Sequence, residues 1–229
     1  EQGTIRTISA NGTVTTVAGL ADNWRGSRDK PVDGDRATAR FAAPSALAVN
    51  PAGHILVADE TAIRVATPAG SVSTLAGLSA NTARGDADGT GSAARFGAPL
   101  ALALAPDGNL YVSDWLNHTI RRVSPTGTVT TIAGLAGSTG TSDGVGSAAR
   151  FLFPESIAVD RSGTVYVADN FAVRKISSTG AVTTLAGRPG VSGTTDGTGG
   201  DARFQSIYAL AVDAAGTIYA KCYSGPDLV

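Results

Sequence analysis

The tripeptide Ala-Arg-Phe occurs four times in this chain, each time downstream of an Asp-Gly pair, ending at Phe41, Phe96, Phe151 and Phe204. The spacings are 55, 55 and 53 residues. A near-constant period of this size marks repeated supersecondary units that share one stacked core. It also sorts the residues. Whatever recurs in all four copies belongs to architecture, and specific chemistry is expected where the copies differ.

Within one period the pattern is all-β. Leu100–Leu104, Leu110–Ser113, Ile120–Val123 and Val129–Ile132 read as short strands. They are separated by the turn signals Pro106-Asp107-Gly108-Asn109 and Pro125-Thr126-Gly127. Four antiparallel strands per unit, repeated, describe a β-propeller blade. The chain opens with a ribbon, Thr4–Ile8 and Thr13–Gly19, that matches the third and fourth strands. It closes with Tyr208–Asp213 and Thr217–Tyr223, which match the first and second. The expectation is therefore one all-β propeller domain over 1–229. Its repeats lie at about 42–77, 97–134, 152–187 and 205–229, the last joined with 1–19; complementary ends favour end-to-end pairing that closes a four-bladed ring, and the alternative is a piece of a larger propeller.

Composition narrows the function. The net charge of −1 gives no field for nucleic acid or an anionic membrane. No run of 18 apolar residues exists, so no transmembrane helix is expected. The chain contains no Met and is read as a trimmed, extracytoplasmic or secreted product. Cys222 is the single cysteine, which excludes an internal disulfide.

The segments Asn109-Leu110-Tyr111-Val112-Ser113-Asp114 with Asn117-His118-Thr119-Ile120-Arg121-Arg122-Val123 resemble the NHL repeat. So do Thr164–Asp169 with Val173–Ile176. The resemblance implies a propeller, usually six-bladed, that binds proteins, RNA or ligands through one face. A minority of the family are lyases that need histidine-bound zinc. Here His54 and His118 are the only histidines. They fall in turns expected on opposite faces, which leaves no pair to share a metal. The resemblance thus favours a binding module over a catalyst.

The recurring residues read as structure. Asp33, Asp88, Asp143 and Asp196, each followed by Gly, suit capped turns between blades. Calcium is the alternative for these loops, but only Asp86 with Asp88 and Asp33 with Asp35 make local carboxylate pairs, and a calcium ion takes six or more oxygens. No cofactor is expected. Phe41, Phe96, Phe151 and Phe204 are expected to plug the spaces between blades. Third-strand Arg6, Arg64, Arg121 and Arg174 are expected to pair with Asp59, Asp114 and Asp169 at the ends of second strands.

The copies differ in the loops between second and third strands, and loops on a rigid scaffold carry recognition. Trp115, Phe171 and Tyr223 take comparable places there, with Glu60, Asn117 and His118 beside them. In the fourth copy Cys222, with Lys221 next to it, replaces the Asp. The first inter-blade loop runs 13 residues before its Asp-Gly, against 10, 8 and 8, and carries Trp24. The favoured function is non-enzymatic recognition of a protein, glycan or small ligand, resting on Trp115, Asn117, His118, Phe171, Tyr223, Glu60 and Trp24. The alternative is a hydrolase or lyase using Glu60, His118 or Glu155. A structural domain of a larger protein is the third. The oligomeric state is left open.

Overall fold

The computed structural model describes residues 3–20, 31–78 and 84–223. Trp24 lies outside them. A first ribbon is made of β1 (Ile5–Ile8) and β2 (Val14–Ala18). Next come β3 (Pro44–Val49), β4 (Ile55–Asp59), β5 (Ala62–Ala66) and β6 (Val72–Gly77). The short β7 (Gly89–Thr90) precedes β8 (Pro99–Leu104), β9 (Leu110–Asp114), β10 (Thr119–Val123) and β11 (Thr128–Ala133). The short β12 (Gly144–Val145) precedes β13 (Pro154–Val159), β14 (Val165–Asp169), β15 (Ala172–Ile176) and β16 (Ala181–Gly187). A last ribbon is β17 (Ile207–Val212) with β18 (Ile218–Cys222).

The sheets follow the repeat. One has the order β3-β4-β5-β6, and two have five strands, β7-β11-β10-β9-β8 and β12-β16-β15-β14-β13. The glycine of the first three Asp-Gly pairs thus does more than turn. Gly144 and Val145 pair with Val182 and Ala181, adding a strand from the preceding joint to the next sheet. Gly34 bridges Val72 in the same way. The chain divides into two compact units, 1–99 with 126–129 and 100–125 with 130–229.

The phenylalanines centre the cores. In the first unit Phe41 packs with Ile5, Val17, Val57 and Val72. In the second, Phe151 packs with Ile120, Ile157, Val167 and Ile176. Phe41, Phe96 and Phe151 are buried, whereas Phe204 is half-buried. Gly187 ends β16 with φ +84°, and a Cβ there would meet the Phe204 ring at 2.7 Å and the Phe171 carbonyl closer still. Only glycine fits that position without strain.

The buried arginines carry the polar part of each joint. Arg174 donates from Nη1 to Asp169 Oδ2 at 3.0 Å and to the Arg150 carbonyl at 3.1 Å. From Nη2 it donates to Asp143 Oδ1 at 2.7 Å and to the Ser142 carbonyl at 3.0 Å. Its guanidinium lies 5.3 Å from the centre of the Phe151 ring. Arg64 repeats the set with Asp59 at 3.0 Å, Asp33 at 2.8 Å, the Val32 and Arg40 carbonyls and the Phe41 ring. Both arginines and both second-strand aspartates are fully buried. Charge taken out of water needs partners of this number and geometry. The arginines of the Ala-Arg-Phe motif behave differently: Arg150 and Arg203 each donate to carbonyls of their own short 3-10 turn.

The closing blade expected from the two chain ends is not found. β1 with β2 and β17 with β18 each form a two-stranded sheet, and no ladder joins them among the described residues. The fourth copy has a physical peculiarity at this point. Where the second strand of the third blade ends in Ala168-Asp169, β18 ends in Lys221-Cys222. The buried carboxylate that an incoming arginine needs is missing, and a cation stands beside its place.

Candidate functional site

The loop after β9 is a single 3-10 turn, Trp115–Asn117, followed by His118 in the left-handed conformation at φ 56°. Glu60 and Asn170 adopt the same φ of 57° in the corresponding loops. The sharp reversal from second to third strand therefore demands a positive φ, which histidine and asparagine tolerate better than most residues. Asn117 is held inward, its Nδ2 donating to Asp114 at 2.8 Å.

The reversal aims two rings at the following joint. Phe153 stacks on Trp115 with centroids 6.0 Å apart at 30°, and meets His118 edge-on at 6.2 Å and 65°. His118 Nδ1 lies 2.8 Å from the Leu152 carbonyl. A carbonyl only accepts, so Nδ1 carries the proton of this contact. The backbone under Phe153 is fixed in turn, because Asp169 Oδ1 accepts the N–H groups of Leu152 and Phe153, both at 2.8 Å. Phe153 is nonetheless 40% exposed and Leu116 42% exposed. Beside them, burial pushes the Glu155 carboxyl up from its ordinary value.

The structure thus gathers Trp115 and His118 around Phe153, a residue that sequence reasoning missed. The signal was present: the residue before the first strand is Ala43, Ala98 and Ser206 in the other copies, so Phe153 is a point of difference. Phe171 is half-buried and has no ring partner among the described residues. Tyr223 is 57% exposed and packs edge-on against Tyr208, with centroids 5.8 Å apart. Glu60 sits half-buried in its turn, with its N–H directed at the Ala43 carbonyl. No group of three or more His, Cys, Asp and Glu is placed to hold a metal among the described residues. Asp33, one of the acidic loop residues, is engaged by Arg64 and Thr74, and Asp35 caps its own turn on Thr38. No described helix is long and apolar enough to cross a membrane.

Repeated antiparallel sheets of four or five strands and the Asp-Gly joints between them define an all-β repeat protein of propeller-blade type. The chain resembles the NHL-repeat family: the family model of the teneurin NHL domain matches residues 72–143. A segment is 33% identical to the chloroplastic protein Suppressor of quenching 1 of Arabidopsis thaliana, over 58% of this chain and 13% of that protein. Another is 31% identical to Teneurin-m of Drosophila melanogaster, over 68% of this chain and 6% of that protein. The chain thus spans a small part of these relatives. A Bacteroides thetaiotaomicron structure superposes with a TM-score of 0.65 at 19% identity, covering 95% of this chain and 50% of that one. The virginiamycin B lyase of Staphylococcus aureus with quinupristin gives 0.54 at 13%, covering 95% and 62%. A gluconolactonase of Xanthomonas campestris gives 0.55 at 16%, covering 95% and 61%. At these identities the likeness speaks for the fold.

Proposed function

We propose that this chain is a non-enzymatic recognition module whose binding surface is the Trp115–Phe153–His118 cluster, with Leu116 at its edge. The observation that carries the proposal is an exposed phenylalanine held between two rings on a backbone pinned by a buried aspartate. Rigid aromatic area costs little entropy to present and favours contact with the apolar face of a sugar, a peptide side chain or a small ligand. The His118 ring adds a polar nitrogen, Nε2, to that surface. The match to the NHL family model supports an interaction role, and the likeness to teneurins supports an extracytoplasmic setting. Glu60, Phe171 and Tyr223 are secondary candidates in the same class of loops.

An enzymatic role is the second reading. The fold is shared with a lyase and a gluconolactonase, and Glu155 is a desolvated carboxyl beside the aromatic cluster. The test is an unbiased glycan and peptide array probed with the wild-type chain, Phe153→Ala, Trp115→Ala and Tyr223→Ala. The proposal expects a hit that weakens by roughly tenfold or more in the first two variants, as for central aromatic contacts. Hits that survive both would sink it. Turnover of a hit compound that depends on Glu155 would replace recognition with catalysis.

A further inference from the structure

Between the second and third blades a cleft of about 310 Å³ opens, its lining including Tyr111, Arg122, Ile132, Val165, Ser178 and Gly180. All six belong to the second compact unit. Tyr111 is the second residue of β9, whereas Trp115 follows its last, so this cleft and the aromatic cluster lie at opposite ends of the sheet. The room comes from a looser contact between blades. Gly180 ends the turn from β15 to β16, and a Cβ there would stand 3.3 Å from the Ile132 carbonyl. At Gly70, its counterpart in the first blade, a Cβ would meet the Val17 carbonyl at 2.6 Å, and at Gly127 in the second it would meet the Leu75 carbonyl closer still.

The copies differ along this cleft. Tyr111 and Arg122 are directly opposite in β9 and β10 and so share one face of the sheet. In the first blade the same pair is Leu56 with Val65, and in the third it is Tyr166 with Lys175. The later tyrosines are satisfied: Tyr166 donates to Asp160 at 3.1 Å, and Tyr219 to Asp213 at 3.2 Å. At the place of Asp160 the second blade has Ala105, so Tyr111 lacks that acceptor. Neither its hydroxyl nor the Arg122 guanidinium has a hydrogen bond or ion pair among the described residues. The carboxylate whose charge reaches both is Asp107, and its two oxygens accept the Asn109 N–H at 3.0 Å and Nδ2 at 2.7 Å. Burial and the Asp107 charge push the Tyr111 phenol up from its ordinary value, so it keeps its proton and is a donor. Behind the pair, Thr130 Oγ1 is buried without a partner.

We propose that this cleft binds a small organic anion, a carboxylate or a phosphate ester, whose oxygens take the Arg122 guanidinium and the Tyr111 hydroxyl. A guanidinium presents a planar fork of donors that matches either oxyanion. Ser178, exposed in the facing turn, offers a further hydroxyl, while Ile132 and Val165 flank the carbon skeleton of the ligand. The volume lies at the lower end of the range for ligand sites, about 300–1,000 Å³, which suits a ligand the size of a sugar acid or a sugar phosphate. Arg122 is exposed, so the attraction is screened by salt. Asp107 repels the same ligand and holds the affinity down.

The test is an NMR titration of the purified full chain with glucuronate, glucose 6-phosphate and neutral glucose, read on backbone amides. Binding of the two anions, or of one, is expected, with the largest shifts at Gly163 and Gly180, and the preference between them assigns carboxylate or phosphate. Arg122→Gln, which loses the charge and keeps the stem, should weaken that binding roughly tenfold or more. Tyr111→Phe, which leaves the ring in its core, should weaken it severalfold, and Asp107→Asn should tighten it. Circular dichroism confirms that each variant folds. A wild type that takes neither anion overturns the proposal. So do shifts centred away from Gly163 and Gly180, glucose bound as tightly as the anions, or an Arg122→Gln chain that binds like the wild type.

Discussion

The third and fourth joints of this chain have nearly the same sequence and opposite fates. From Asp143 to Phe151 the joint encloses Arg174, buries its phenylalanine completely and pins the next strand. From Asp196 to Phe204 the joint has the same Asp, Gly, Arg and Phe, but its phenylalanine is half-buried and its carboxylate faces solvent. The difference is that, among the described residues, the third joint alone of the two receives a third strand that brings an arginine. A joint in this fold is thus a receptor, and the incoming strand completes it. The Asp-Gly…Ala-Arg-Phe motif encodes the receptor half only.

The sharpest way to break that contrast is to empty the filled joint. Arg174→Ala leaves Asp169 buried without its cation, and stranding one member of a buried pair costs about 3–5 kcal/mol. Asp196→Ala in the open joint removes an exposed carboxylate and is expected to stay within about 0.5 kcal/mol of wild type. Urea denaturation of the two variants measures both. Equal losses would mean that the fourth joint is as filled in solution as the third.

The phenylalanines give the next largest effect. Phe151 is 0% exposed and packs in the main core of its unit. Phe151→Ala should cost about 3–5 kcal/mol through lost burial and the cavity left behind. Phe204→Ala, starting from half-burial, should cost about 1 kcal/mol. Thermal melts that rank them the other way would contradict the assignment of the open joint.

Much of this architecture was legible in the sequence because the period repeats its own punctuation. Strands expected at Leu100–Leu104, Leu110–Ser113, Ile120–Val123 and Val129–Ile132 each lie within an observed strand that is a residue or two longer. Asp114 shows why: it lies one residue past the apolar run Leu110–Ser113, yet it is the last residue of β9 and fully buried. In the corresponding place Asp169 is buried because it satisfies two backbone N–H groups and an arginine at once. No local propensity announces such long-range partners. The two-residue strands β7 and β12 escaped notice for a related reason, since they exist only by pairing with a distant fourth strand. The pairing of chain ends was inferred from pattern alone, and pattern did not weigh the replacement of Ala-Asp by Lys221-Cys222. In the candidate site, Trp115 and His118 were found by comparing loops, while Phe153 lay in a segment taken as uniform joint.

Acid should act on the two joints unequally. Desolvation pushes the Asp143 carboxyl up, but the Thr184 N–H and Arg174 outweigh it, so the group is held below its ordinary 3.8. A carboxylate lowered by folding contributes stability that is present above 3.8 and is lost as the pH falls through the lower folded value. Asp143→Asn should therefore melt below wild type near neutrality, and the gap should narrow as the pH drops through that window. A gap that stays constant down to strong acid would show that the carboxylate's charge plays no part in holding the joint.

The smallest expected change in fold stability also tests the comparison most directly. Cys222 is exposed, and its thiol is pushed up by the desolvation it does suffer. Cys222→Asp restores the residue found at Asp59, Asp114 and Asp169. The repeat equivalents of Leu152 and Phe153, whose N–H groups Asp169 accepts, are Gln205 and Ser206. The melting behaviour should therefore stay within about 0.5 kcal/mol of wild type. Thermal melts of Cys222→Asp beside wild type read that difference, and a gain well beyond it would mean that the new carboxylate finds a cation at this joint as Asp169 does at the third.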